Sequence, residues 1–117
     1  MNALIVSDVH SNIEAFRSVV NDADRNGGFD EIWSLGDLIG YGPDPSAVIG
    51  LLGQHKHKAV IGNHDLASIG KLSLEAFNPY AKEANLWTGR QLTSDERNFL
   101  DRQPQIIEEG EFVMCHG

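Results

Sequence analysis

The sequence has a single cysteine, Cys115, and no long apolar run. One cysteine excludes an internal disulfide framework and favours a reducing compartment. Because Cys115 ends a short apolar run, we expect it to be buried as a small hydrophobic residue. No stretch approaches the roughly 20 apolar residues that cross a bilayer, and the first residues lack the cationic flank of a signal peptide. The sequence therefore predicts a cytoplasmic protein with no membrane partner.

Basic residues are also few. Nine Lys and Arg stand against seventeen Asp and Glu, which gives a formal net charge of −8. Nucleic-acid binding needs clustered Lys and Arg that neutralise phosphates. The one dense cationic segment, residues 55–58, is short, and we expect it to be a solvated turn. The acidic balance argues against a nucleic-acid partner and suits divalent cations, although most of the carboxylates serve solubility.

Apolar residues are sufficient for a core, since they make up 41% of the 117 residues, which is the size of one ordinary domain. Three apolar runs, each stopped by glycine or a polar residue, predict β-strands at residues 3–6, 31–35 and 58–61. The segments between them are long enough for helical crossovers, so the β-α-β-α-β order predicts parallel strands. We therefore expect a single α/β domain over residues 1–117.

Two helices are predicted between these strands. The first has Ser11 as N-cap with Glu14 as its capping-box partner, and it ends at Asn26-Gly27-Gly28. The second begins at Asp44-Pro45, with proline at the first helical position, and ends at Gly53. These helices supply the two crossovers of the parallel sheet.

The second half of the sequence is less regular. Residues 66–77 are ambiguous and predict a partly helical segment with a break near Gly70. Cap signals then predict two helices, over residues 78–92 and 93–102. Two short apolar runs around a glycine turn predict a C-terminal β-hairpin, with strands at residues 105–108 and 111–115.

A polar stretch follows each of the three predicted parallel strands. The stretches are Asp8-Val9-His10, Gly36–Gly40 and Gly62–Asp65. The carboxyl ends of parallel strands meet at one edge of the sheet, where open α/β sheets bind their ligands. The sequence therefore predicts one site at this edge, built around Asp37.

The first two stretches contain candidate metal ligands. Asp8 and His10 lie two residues apart, so their side chains share one side of an extended strand end. A carboxylate and an imidazole suit a divalent transition metal, although such a pair also occurs by chance. Asp37 lies between glycines, either as the polar member of a tight turn or as a carboxylate that bridges two ions. Because residues 40–43 already supply turn chemistry, we favour the bridge.

The third stretch is the most specific. Asn63 offers a neutral amide oxygen as a ligand. His64 is a candidate general acid, which Asp65 can orient and hold protonated. A polar surface loop would explain this stretch if it stood alone, but its position beside the other two favours a site.

In this order the motifs resemble those of the calcineurin-like metallophosphoesterases: Asp-x-His at 8–10, Gly-Asp at 36–37, Gly-Asn-His-Asp at 62–65 and His-Gly at 116–117. Three longer segments resemble the small prokaryotic phosphodiesterase or diadenosine-tetraphosphatase-like branch, namely residues 8–12, 36–43 and 77–79. The resemblance spans the whole chain. It implies part of an αββα sandwich of two mixed sheets flanked by helices.

The resemblance also implies a set of metal ligands. Asp8 and His10 would bind the first of two divalent cations, Asn63 and His116 would bind the second, and Asp37 would bridge both. Manganese is the first candidate, with iron, zinc or nickel as alternatives. Two such cations bring a charge of about +4 against two carboxylates, and the excess attracts a phosphoryl group.

The same resemblance implies the reaction. A small phosphoester would be hydrolysed, with phosphodiester and phosphate monoester both open, by water activated between the two ions. His64, supported by Asp65, would stabilise the phosphate or protonate the leaving oxygen. The substrate itself stays open, because no basic cluster or aromatic platform near the motifs indicates a nucleotide.

The sequence departs from the family pattern at its end. Family members carry a later Gly-His-x-His segment whose histidines complete the metal shells, and this sequence does not contain it. We therefore expect residues 1–117 to be the N-terminal part of a longer domain whose second half is missing. The expected consequences are weakened metal binding and activity, and self-association through uncovered apolar surface.

Two other interpretations are compatible with the sequence. The first is a non-catalytic module of the same fold, with a metal-dependent interaction or regulatory role. The second is a receiver-like or Rossmann-like domain, which follows from the β-α-β order alone. The first loop lacks the Gly-x-Gly-x-x-Gly pattern, and this argues against dinucleotide binding.

Overall fold

The computed structural model describes residues 1–117 and contains five strands and five helices. In chain order they are β1 (Ala3–Val6), α1 (Ile13–Arg25), β2 (Glu31–Ser34), α2 (Pro45–Gly53), β3 (His57–Ala59), α3 (Asn63–Ser68), α4 (Pro79–Gln91), α5 (Ser94–Asp101), β4 (Ile106–Glu109) and β5 (Phe112–Cys115). A 3₁₀ turn at Leu74–Ala76 lies between α3 and α4. This order confirms the predicted α/β class, in which parallel strands are followed by helices and a C-terminal hairpin.

The first three strands form one parallel sheet in the order β1-β2-β3. Leu4 of β1 pairs with Ile32 of β2, which in turn pairs with His57 of β3. The carboxyl ends of all three strands therefore lie at the same edge. β4 and β5 form a separate antiparallel pair, in which Ile107 lies opposite Met114.

The central strand β2 is buried on both faces because its side chains alternate between them. Ile32 belongs to the larger core, where it packs with Phe16 of α1 and Leu52 of α2. Trp33 belongs to a second cluster, together with Met114 of the hairpin. The sheet is thus covered by α1 and α2 on one face and by the β4-β5 hairpin on the other.

Helix α1 begins one residue later than predicted. Asn12, not Ser11, is the N-cap, and its side chain accepts the backbone N–H of Ala15 at 3.0 Å. The Ser11 backbone instead donates to the Leu38 carbonyl at 2.9 Å, while its buried hydroxyl has no partner. Ser11 therefore joins the first polar stretch to the second instead of capping the helix.

The cationic segment at residues 55–58 is not a solvated turn. β3 begins within it, and the ammonium groups of Lys56 and Lys58 lie 3.6 Å and 3.8 Å from the Glu31 carboxylate of the neighbouring strand. The indole N–H of Trp33 also donates to Glu31 at 2.6 Å. The Trp33 hydrogen bond, followed by the two lysines, lowers the pKa of Glu31 below its ordinary value. The segment is therefore anchored to the sheet.

Cys115 is exposed, in contrast to the buried position expected from the sequence. Within the last three residues of β5 only Met114 points inward, so its neighbour Cys115 faces outward. None of the helices is long and apolar enough to cross a membrane.

Candidate metal centre

The three polar stretches meet at the carboxyl edge of the sheet, and backbone hydrogen bonds join them. The N–H of Asp8 donates to the Gly36 carbonyl at 3.0 Å, and the N–H of His10 donates to the Asp37 carbonyl at 3.0 Å. The N–H of His64 donates to the Asp37 carboxylate, also at 3.0 Å. The stretch that follows β2, Gly36–Gly40, thus bonds to both of the others, as expected from the central position of β2 in the sheet.

The backbone of this edge is strained. Five residues other than glycine have a φ between 47° and 58°, and all lie within the first two stretches or directly after them: Asp8, His10, Ser11, Asp37 and Tyr41. Left-handed backbone costs a side-chain-bearing residue of order 1–3 kcal/mol, and such residues cluster at functional sites. The strain also corrects the expectation that Asp8 and His10 end an extended strand, because neither residue has extended backbone.

Asp37 lies at the centre of the site. Its carboxylate is buried, and its Oδ2 lies 3.6 Å from His10 Nε2 and 3.2 Å from His116 Nε2. Asp8 Oδ1 lies 3.8 Å from the same nitrogen of His10. The left-handed turn, not strand alternation, brings the Asp8 and His10 side chains to Asp37.

His116 reaches the site from the other sheet, directly after β5. Its Nδ1 lies 2.9 Å from the Leu35 carbonyl, which leaves Nε2 facing Asp37. The ring lies so close to β2 that a Cβ on Gly36 would come within 2.7 Å of it. Glycine at position 36, which also has a φ of 96°, therefore leaves the space that this histidine occupies.

Asn63 is the fifth potential ligand at this edge of the sheet. Its side-chain oxygen lies 3.1 Å from His116 Nε2, and turning the amide round would place its nitrogen 3.2 Å from both Asp37 oxygens. In the first orientation the amide oxygen faces the lone pairs of His116 Nε2 and the Asp37 carboxylate, and in the turned orientation the amide N–H groups donate to both. Oxygen and nitrogen ligand atoms gathered in this way fit a divalent cation.

Two groups of potential ligands therefore share Asp37. His10, Asp37 and His64 form one group, and Asp8, Asp37 and His116 form the other, with ligand atoms within 4.8 Å of one another in each. All five residues that the sequence predicts as ligands lie at this edge. Grouped by distance, Asp8 lies with His116 and His10 lies with His64, but the predicted pair also stays together, since Asp8 Oδ1 lies 3.8 Å from His10 Nε2.

His64 is buried at the start of α3, but Asp65 does not orient its ring. The Asp65 oxygens accept the backbone N–H groups of Ile39 and Gly62, at 3.0 Å and 2.9 Å. Burial first, and then the charge of Asp37, raises the pKa of Asp65 to about 6, against the opposing effect of these two hydrogen bonds. Asp65 therefore ties the second stretch to the third, which corrects the prediction that it orients the His64 ring.

The sequence profile of the family described as calcineurin-like phosphoesterase matches residues 1–117. The chain belongs to this family. The resemblance inferred from the motifs is therefore confirmed, and so is the fold that it implied.

Several known proteins are similar to nearly the whole chain. An uncharacterized protein of Methanocaldococcus jannaschii is 43% identical over 105 residues, which cover 90% of this chain and 43% of that protein. The protein named symmetrical bis(5′-nucleosyl)-tetraphosphatase of Proteus mirabilis is 30% identical, over 99% of this chain and 44% of its own length. The crystal structure of a metallophosphoesterase from Sphaerobacter thermophilus superposes with a TM-score of 0.80 and 44% identity, over 97% of this chain and 45% of that one. The chain thus spans less than half the length of these relatives.

The sequence analysis did not identify Asn85, which contacts His64 at this site. Asn85 Oδ1 lies 3.3 Å from His64 Nδ1 and 3.4 Å from the Ser68 hydroxyl. His64 and Ser68 are four residues apart, so they share the face of α3 that packs against α4. The available signal was a polar residue at helical spacing from Ala81 and Thr88, on the buried face of α4.

Proposed function

We propose that this chain carries the metal-binding part of a phosphoester hydrolase that uses two divalent cations. The observation that supports this proposal most directly is the convergence of acceptor groups around the buried Asp37 carboxylate. Asp8 and His10 would hold one cation, Asn63 and His116 the other, and Asp37 both. Manganese is the first candidate, with iron, zinc and nickel as alternatives, since mixed O and N ligands accept several first-row ions.

When bound, two such ions polarise a phosphoryl oxygen and lower the pKa of a water molecule, which provides a nucleophile at neutral pH. The protein's own contribution is positional. Asp8 and Asp37 supply two negative charges against four positive ones, so the site retains an excess that attracts a phosphate. The backbone hydrogen bonds that join the three stretches hold these groups in place before the substrate arrives, which lowers the reorganisation cost of the reaction.

His64 would donate a proton to the leaving oxygen. Because Asn85 Oδ1 can only accept, the contact at 3.3 Å assigns the proton of the neutral ring to Nδ1. Nε2 is then the nitrogen available to the substrate, and to act as the acid the ring would carry a second proton there, which Nε2 would give to the leaving oxygen while Nδ1 keeps its own. Asn85 would therefore position His64, in place of the carboxylate that the sequence suggested.

The substrate class is a small phosphoester. The relative named symmetrical bis(5′-nucleosyl)-tetraphosphatase supports a nucleotide ester as the candidate. The prediction that residues 1–117 are the N-terminal part of a longer domain stays a prediction, and so does a cytoplasmic location.

The function is tested by metal dependence. With manganese, we expect hydrolysis of an aryl phosphodiester above the rate of the buffer, complete loss with a chelator, and recovery when manganese is added in excess. An assay of released phenol measures all three, and a phosphate monoester run in parallel gives the preferred ester. Hydrolysis that survives chelation would contradict the proposal.

A non-catalytic, metal-dependent interaction module is the second candidate. It is favoured by three exposed apolar side chains on the β4-β5 hairpin, namely Ile106, Phe112 and Val113, because exposed apolar patches mark interaction sites. Manganese binding without any hydrolysis, together with manganese-dependent self-association in gel filtration, would support this candidate over the first.

Asn85 gives a separate prediction. We expect Asn85→Ala to lower kcat about 10- to 100-fold, the usual range for a residue that orients a ligand or catalytic group. Manganese affinity should be unchanged, because Asn85 contacts none of the five proposed ligands. In the His64→Ala background the same substitution should have no further effect, since there is then no ring to position.

The control for this prediction is Thr88→Val. Thr88 is buried on the same face of α4 but makes no hydrogen bond to His64, so kcat should stay near the wild-type value. Equal losses of kcat from Asn85→Ala with and without His64 would show that Asn85 acts only through the packing of α4.

A further inference from the structure

A groove of ≈ 360 Å³ lies between the turn at Tyr41 and the outer face of α4. We call it the aromatic groove, and its six residues are Tyr41, Tyr80, Glu83, Ala84, Trp87 and Arg90. Counted from Tyr80, the other four residues of α4 lie three, four, seven and ten positions further on, so all five share one face of the helix. The volume falls within the range of about 300–1,000 Å³ that is typical of small-molecule sites.

Three large aromatic side chains in this groove face solvent. Tyr80 is 84% exposed, Tyr41 50% and Trp87 38%. Helix α4 does not need them for packing, because its opposite face already buries Ala81 and Asn85. Exposed apolar surface gathered in one concave patch is typical of a binding site.

The aromatic groove is continuous with the metal centre through Tyr41. The ring centroid of Tyr41 lies 5.0 Å from that of His10 and 4.7 Å from that of His64. Its backbone has a φ of 56°, a costly conformation for a bulky residue. One side chain therefore forms part of the wall of both the metal centre and the groove.

We propose that the aromatic groove binds the nucleobase of a nucleotide whose phosphate lies at the metal centre; this rests on the function proposed above. A base has two flat π-faces, which stack on Tyr and Trp rings. Glu83 offers a carboxylate to the amino group of a base. Arg90 can stack on the base or pair with a phosphate oxygen.

The geometry also limits the alternatives. A nucleic-acid strand would need basic residues along its path, whereas the groove contains one cation, Arg90, beside one carboxylate, Glu83. An aliphatic ligand would not need three aromatic rings. A single base attached to a phosphate matches the size of the groove, its balanced charge and its position beside the metal centre.

The test compares two ligands that differ only in the base, adenosine 5′-monophosphate and ribose 5-phosphate. Calorimetry in the presence of manganese should show tighter binding of the nucleotide to the wild-type chain. Trp87→Ala should weaken nucleotide binding about 5- to 150-fold, the range that corresponds to one stacked base, and should leave ribose 5-phosphate unchanged. Trp87→Phe, which keeps an aromatic face, should restore most of the affinity.

Two further variants make the comparison specific. Tyr80→Ala should also weaken the nucleotide alone, and its high exposure means that folding does not depend on it. Phe112→Ala is the matched control, because Phe112 is an exposed aromatic residue of the hairpin that does not line the groove. It should change neither affinity.

Binding and hydrolysis are separate readouts, so the two proposals can fail separately. Base-dependent binding without manganese-dependent hydrolysis would support the aromatic groove and contradict the proposed enzyme. Equal binding of the two ligands to the wild type, no binding of either, or an equal effect of Trp87→Ala on both would overturn the groove, whatever the outcome of the hydrolysis assay.

Discussion

Replacing Asp37 by asparagine should empty the metal centre and lower kcat/KM at least about 1,000-fold, because bound metal supplies several kcal/mol of transition-state stabilisation. Asparagine has nearly the same shape, and its oxygen can still accept the His64 N–H that Asp37 accepts at 3.0 Å. The substitution removes one of the two negative charges, those of Asp8 and Asp37, that would hold the cations. Since Asp37 belongs to both ligand groups, both proposed cations lose a ligand at once.

Manganese titration by calorimetry measures this effect directly. We expect binding at both positions in the wild type and at neither in Asp37→Asn. His116→Ala and Asp8→Ala should each weaken binding mainly at one position, and at different positions, because in the proposed arrangement each of these residues holds a single cation. This contrast between a shared ligand and single ligands is what distinguishes a bridging carboxylate from an ordinary one.

Asp24→Asn is the matched control. It makes the same chemical change on the exposed surface of α1, and it should leave manganese binding at the wild-type level. If Asp37→Asn retained one full-affinity site, the bridging role would be wrong. If it retained both sites, the metal centre itself would lie elsewhere.

Gly62→Ala should have the second largest effect, because it fills the space that Asp37 occupies. A Cβ on Gly62 would overlap both the backbone nitrogen and the carboxylate of Asp37. The Asp37 backbone is held between two neighbouring stretches and cannot move away freely. We expect a loss of about 1–3 kcal/mol in the free energy of unfolding, the usual cost of overpacking, together with loss of manganese binding.

Urea denaturation and manganese titration of the same variant test the two parts of this prediction. Gly50→Ala is the control, since Gly50 is exposed in α2 and an added Cβ there meets no atom within 4 Å. Alanine in a helix interior should stabilise the protein by about 0.5–1 kcal/mol. Wild-type stability and metal affinity in Gly62→Ala would show that the two stretches can separate without loss of the site.

Much of the fold was predictable because its signals are local. β1 is a short apolar run, and β2 and β3 each overlap one, at residues 31–35 and 58–61, that is followed by a glycine. The caps at Asn78 and Thr93 were also readable, since a cap bonds to a residue three positions away in the same segment. The errors occurred where a long-range contact competes with a local one. Ser11 has the sequence pattern of a cap, but its backbone bonds to Leu38, and the capping role falls to Asn12.

The metal centre also has features that local sequence predicts and features that long-range contacts set. Asp8, His10, Asp37, Asn63 and His116 could be named because they lie in motifs at strand ends, and strand ends meet at one edge. Their grouping could not be predicted from strand alternation, since Asp8 and His10 have left-handed backbone. The role expected for Asp65 failed for a related reason. An adjacent residue in sequence is the obvious partner for His64, yet the first turn of α3 directs the two side chains to different neighbours.

By itself, then, the sequence determined the parallel sheet, the family and the five proposed ligands around Asp37, because short-range periodicity and motif order carry that information. Only the tertiary structure decided that Asn85 faces His64 and that Tyr80 and Trp87 lie beside Tyr41. Helical spacing shows that the residues of α4 fall on two faces, one buried and one exposed. Which loops those faces meet depends on how α4 packs against α3 and the metal centre, and that packing is set by contacts between residues far apart in the chain.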